Sequence, residues 1–121
     1  MSTAKFDTLS NVAGTQSVPV ATVAQGSAKA WVNFNGQGTV AIRSAFNVSS
    51  ITDVATGNYQ VNFTNAMPDA NFAANASTQR AVSWADGGIS VQSYTVNSVL
   101  VANIENNTNA DTPNVSVAIF R

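Results

Sequence analysis

The sequence predicts an all-β domain, most simply an antiparallel β-sandwich of about seven or eight strands. Three observations carry this: period-two alternation of apolar residues over most of the chain, turn clusters rich in Gly, Asn and Asp between the runs, and no long stretch with helical periodicity.

The elements follow in order. In "WVNFN", Val32 and Phe34 alternate with Trp31, Asn33 and Asn35, and after "NGQG" Val40 and Ile42 alternate with Thr39, Ala41 and Arg43, which marks a hairpin. Phe46 and Val48 lead into "ITDVATGN", whose Asp53, Gly57 and Asn58 supply turn chemistry; Tyr59, Val61 and Phe63 then share one face, a second hairpin. Ile89 and Val91, then Leu100, Ala102 and Ile104, then Val115, Val117 and Ile119 each give a half-buried strand. The segment "PDANFAANASTQRAVSW" is expected to be irregular, with alanines enough for one helical turn and asparagines that oppose it. Trp31, Phe34, Phe46, Tyr59 and Phe63 hold most of the large aromatic area and are expected in the core. Lys29 and Arg43 invite a carboxylate such as Asp53 or Asp69, or stay solvated.

Residues 1–26 read differently from residues 27–121. "TLSNVAGTQSVPVATVAQGS" has no charge, holds Pro19 and scatters single valines, so it reads as an extended N-terminal strap and the rest as the domain. A loose arm is one reading. A docking strap is the other, favoured by the lack of the charge that keeps tails disordered: Val12, Val18, Val20 and Val23 would gain burial only against another chain.

Composition excludes several functions. The 121 residues carry 9% charged side chains and a net charge of −1, with no basic cluster, so the counterion release that drives nucleic-acid binding is missing. No apolar run approaches the roughly 18 residues of a membrane helix, and none forms a signal peptide after Lys5. Without cysteine or histidine, disulfides, thiolate chemistry and the commonest general base and metal ligand are excluded. No cofactor, catalytic residue or metal is expected. "NNTNAD" has one carboxylate, Asp111, where a calcium loop needs several. Asp69 and Asp86 make a poor glycosidase pair, because the sequence shows no second pair and no Glu in a turn beside an aromatic slot.

The best candidate recognition surface is "QRAVSWADGG". On a strand Arg80, Val82, Trp84 and Asp86 share one face, and an indole beside a guanidinium and a carboxylate offers a sugar ring a stacking plane with fixed donors and acceptors. The competing reading makes Trp84 a core or subunit-interface anchor beside an Arg80–Asp86 salt bridge.

The run "SAKAWVNFNGQGTVAIRSAFNVSSITDVATGNYQVNFTNAMPDANFAA" and the terminal "VSVAIFR" resemble a module of bacteriophage proteins, found at the distal ends of tail fibres and in small stand-alone virion proteins. "KAWVNFNG", "FNVSSITD" and "MPDANF" carry the resemblance, in that order. It implies a homotrimeric, non-enzymatic structural protein on the virion exterior, either a tail-fibre component or a capsid-decorating protein, in contact with other virion proteins. The alternative is a receptor-binding, lectin-like module for host surface glycans, with residues 74–113 as its working part. With no shaft repeats or heptads before the module, direct attachment to the particle is expected.

Overall fold

A computed structural model describes residues 2–80 and 86–121. The arm is not one extended run. β1 (Thr8–Ser10) pairs antiparallel with β2 (Ser17–Pro19), and α1 (Val20–Gly26) follows directly. Pro19 sits at the N-cap, where its fixed φ costs nothing, and Asn11 closes the hairpin loop by accepting the Gln16 N–H on Oδ1 at 2.9 Å. Alanines and the lack of a competing sheet partner make residues 20–26 helical where the scattered valines suggested extension. The helix buries none of its residues, and within the hairpin strands only Val18 is half-buried.

The rest of the chain forms two antiparallel sheets. β3 (Ala28–Asn35), β4 (Ala41–Phe46), β7 (Ala73–Gln79) and β11 (Asn114–Phe120) make the first, in the order β4-β3-β11-β7. β5 (Val48–Ala55), β6 (Asn58–Phe63), β8 (Gly87–Thr95), β9 (Ser98–Glu105) and the short β10 (Thr108–Asn109) make the second. There β5, β6 and β9 lie side by side, and β8 and β10 also pair with β9.

Both sheets feed one buried cluster. Alternate residues of β3 (Ala30, Val32, Phe34) and β11 (Val115, Val117, Ile119) join Tyr59, Val61 and Phe63 of β6 and Val99 and Val101 of β9. Each fully buried side chain of this size contributes about 1.5–3 kcal/mol. Phe34 meets Tyr59 edge-on at 5.3 Å, and Phe63 meets Phe72 at 5.7 Å where the loop after β6 closes one end together with Met67.

The chain crosses from the first sheet to the second at Asn47, which takes a left-handed φ of 54°. Its Nδ2 donates to Lys29 O at 3.0 Å and Asn65 O at 3.2 Å, and its Oδ1 accepts the Asn65 N–H at 2.8 Å. Asparagine tolerates this backbone conformation better than other side-chain-bearing residues, and here it also satisfies the polar groups that the corner exposes.

Four expectations change. Trp31 (40% exposed) and Phe46 (53%) lie outside the core, because burial of Val32 and Phe34 turns Trp31 to the opposite face of β3. Residues 73–79 are a strand, paired along their length with β11. On β9 the core cluster takes Val99 and Val101, with Asn103 and Glu105 buried on the same side; of the residues expected there Ala102 is buried and Leu100 half-buried, while Ile104 is exposed. Lys29 donates to the carbonyls of Ala24 and Ser27, and Arg43 to Asn114 Oδ1 (2.6 Å) and Pro113 O (2.7 Å), so neither takes Asp53 or Asp69.

Candidate functional site

The outer faces of the sheets explain the unusual composition. Across the first sheet, Arg43 of β4 and Asn33 of β3 both donate to Asn114 Oδ1 of β11, and Asn114 Nδ2 donates to Gln79 Oε1 of β7 at 2.9 Å. On the second, Gln60 Nε2 donates to Asn62 Oδ1 (2.8 Å), and Asn62 Nδ2 reaches the hydroxyls of Ser50 and Thr52 at 3.1 and 2.9 Å. Amides and hydroxyls form the cross-strand pairs that charged residues make on many sheets.

Each face carries a depression. On the first sheet a hollow of about 310 Å³ is lined by Trp31 and Asn33 of β3, Asn75 and Ser77 of β7, and Ser116 and Ala118 of β11. The register makes this a surface of small side chains with one indole standing over them: Trp31 lies opposite Phe46 on one side and Ala118 on the other, with Asn75 next beyond Ala118. On the second sheet a hollow of about 360 Å³ is lined by the apolar Val54, Leu100, Ala102 and Ile104 together with Asn58, Gln92 and Asn109.

At one end of the domain a polar knot ties the sheets together. The Tyr59 hydroxyl lies 2.9 Å from Gly36 O and 3.1 Å from Asp111 Oδ1 and accepts the Thr112 N–H at 3.4 Å. Asp111 Oδ1 also accepts the Gly57 N–H at 2.8 Å, so the one carboxylate of "NNTNAD" serves as a structural acceptor. Burial, more than the neighbouring Asp111 charge, pushes the Tyr59 phenol well above its usual range. Asn103 donates to Ala110 O at 2.8 Å, and Thr112 and Thr78 bond each other and the ends of β7 and β11. Gly36 must be glycine here, since a Cβ would lie 2.4 Å from the Tyr59 hydroxyl.

Of the residues singled out in the sequence, Arg80 follows the last residue of β7 and Asp86 precedes the first of β8. The Arg80 guanidinium donates to Gly87 O at 3.1 Å. Trp84 lies outside the described residues, as does Val82. Asp69 is hydrogen-bonded by Arg121 through both carboxylate oxygens, at 3.0 and 2.7 Å. That contact, then the Asn71 N–H, holds its carboxyl below the usual range. Asp69 sits at the end where β7 begins, Asp86 at the end where it has finished. About 20 Å of strand separates those ends, beyond the span of a glycosidase pair. Among the described residues, no group of three or more acidic, His or Cys side chains is placed to hold a metal ion, and no helix is long and apolar enough to cross a membrane.

In the arm, Val12 is fully exposed, Val23 is exposed, and Val18 and Val20 are half-buried. Phe6 and Leu9 are exposed beside them. The Trp31 hollow was within reach of the sequence: strict alternation in "AWVNFN" places Trp31 and Asn33 together on the face away from Val32 and Phe34. The β7 and β11 residues that complete it come from far along the chain. No family model, no curated protein and no solved structure matches this chain.

Proposed function

We propose that the chain is a non-enzymatic structural protein on the exterior of a bacteriophage virion, a tail-fibre component or capsid-decorating protein. Residues 27–121 form a β-sandwich that assembles as a homotrimer, and residues 1–26 dock on a neighbouring subunit or another virion protein. One observation carries this reading: an arm with its own hairpin and helix leaves Phe6, Leu9, Val12 and Val23 exposed. Such side chains gain burial only when another surface covers them. The partly apolar hollow around Leu100 and Ile104 and the nearly uncharged surface support association further, as does the resemblance in "KAWVNFNG", "FNVSSITD" and "MPDANF".

The test is imaging of purified particles labelled with an antibody raised against residues 27–121. Label on the capsid or tail exterior is expected, and absence of the chain from purified particles would overturn the reading. A second reading, a lectin-like module for host glycans, is favoured by the hollow beside Trp31.

A further inference from the structure

The hollow on the first sheet has an unusual combination of groups. Trp31 stands 40% exposed, although a large indole on a sheet gains by being covered. Around it the lining has no charged side chain. Asn75 and Ser77 make no side-chain hydrogen bond to a described residue, so their full donor and acceptor capacity faces the hollow. Asn33 spends Nδ2 on Asn114 and Ser116, which leaves its Oδ1 as an acceptor. The Ser116 hydroxyl accepts that bond and keeps its proton to donate.

We infer that this hollow binds a neutral sugar residue of a glycan. The ring's C–H face stacks on the Trp31 indole, and its hydroxyls, each both donor and acceptor, meet Asn33, Asn75, Ser77 and Ser116. Phe46, directly opposite Trp31 across the strand pair, continues the apolar strip and suits a second ring of the same chain. The lining itself has no charged side chain, so the ring is recognised through neutral donors and acceptors, and the Arg43 guanidinium that shares Asn114 Oδ1 with Asn33 is not part of it. A second copy of this chain is the competing occupant. It fits less well, because the centres of protein interfaces are depleted in serine and would leave these amides and hydroxyls to be matched one by one. The inference rests on the lectin-like reading and not on the trimer. It moves the site from the Arg80–Asp86 connection to the face of the first sheet.

The test is a titration of the full 15N-labelled chain, followed by the Trp31 indole N–H and the Asn33 and Asn75 side-chain amides in NMR spectra. The probes are the methyl glycosides of glucose, galactose, mannose and N-acetylgalactosamine, with N-acetylneuraminic acid as the anionic control. One open face holds a single ring weakly, so saturation is expected with a Kd on the order of 1 mM for at least one neutral glycoside. Asn75→Ala should weaken it about tenfold with an unchanged melting temperature; Ser77→Ala provides the same test if Asn75→Ala fails to fold. No saturable shift with any neutral glycoside, or a response to the anionic sugar only, would overturn the inference. Movement of the Trp31 signal on dilution without sugar would overturn it in favour of a second copy. Sugar-dependent shifts confined to Arg80 and Asp86 would overturn this site while leaving the lectin-like reading intact.

Discussion

Tyr59→Phe isolates the polar knot from the core around it. The substitution keeps the ring and its edge-on contact with Phe34 at 5.3 Å, and removes only the hydroxyl that joins Gly36, Asp111 and Thr112. A buried hydrogen bond is worth about 0.5–1.5 kcal/mol net, and stranding its partner adds about 1–3 kcal/mol. Asp111 retains the Gly57 N–H, while the Gly36 carbonyl loses a bond of 2.9 Å and the Thr112 N–H only a long one of 3.4 Å, so the expected loss is about 2–3 kcal/mol. At an unfolding entropy near 0.25 kcal/mol/K for a chain of this size, that lowers the melting temperature by about 8–12 °C. Circular dichroism melts at neutral pH make the measurement. The same hydroxyl predicts a pH dependence. Its folded pKa lies above the ordinary 10.0, so the unfolded chain holds fewer protons in alkali and stability falls as pH rises past that value. Tyr59→Phe should flatten the alkaline fall. A variant melting within about 1 °C of the parent, with the same alkaline profile, would refute the idea that this hydroxyl ties the sheets.

Phe34→Ala removes a fully buried ring and should cost about 3–5 kcal/mol, whereas Trp31→Ala, losing only the covered part of an outer-face indole, should cost about 1–2 kcal/mol; denaturant titration ranks the two. Asn47→Ala should cost about 2 kcal/mol, from the left-handed backbone and the lost bonds to Lys29 and Asn65, measurable in the same titration. Asp69 has a folded pKa below its ordinary 3.8, so its pairing with Arg121 stabilises the fold above that value and is lost as pH falls through the folded one. Asp69→Asn should therefore show a shallower loss of melting temperature in acid.

The strands at residues 28–35, 58–63 and 114–120 were legible because alternation there is strict and one face is apolar. Their hairpin partners β4 and β5 are mostly exposed, and the break at Asn47 between Phe46 and Val48 had no such signal. β7 was hidden because alanines do most of its inward-facing work, at positions 74 and 76, and alanine is depleted in strands, so a lone Thr78 made no period-two signal. β9 was misread because "SVLVANIE" is apolar on both faces; tertiary hydrogen bonds decide that Asn103 goes in, through its amide to Ala110 and its backbone to Gly57. The same limit hid the site: Trp31 and Asn33 are neighbours in sequence, but Asn75, Ser77 and Ser116 reach them only through β11 pairing with β3 and β7. The arm's separateness was visible in composition, while its hairpin depends on an Asn11 bond that no pattern announces.

The central claim is that residues 1–26 serve assembly and residues 27–121 fold without them, and native mass spectrometry of the two chains at micromolar concentration tests it most directly. Because the arm helix buries none of its residues, deleting residues 1–26 should leave the circular dichroism spectrum and melting cooperativity of the domain intact. The full chain should register three chain masses of 12.5 kDa each, and the truncated chain should dissociate at concentrations where the full chain stays trimeric. A full-length monomer at those concentrations, or a truncated chain that unfolds, would contradict the account.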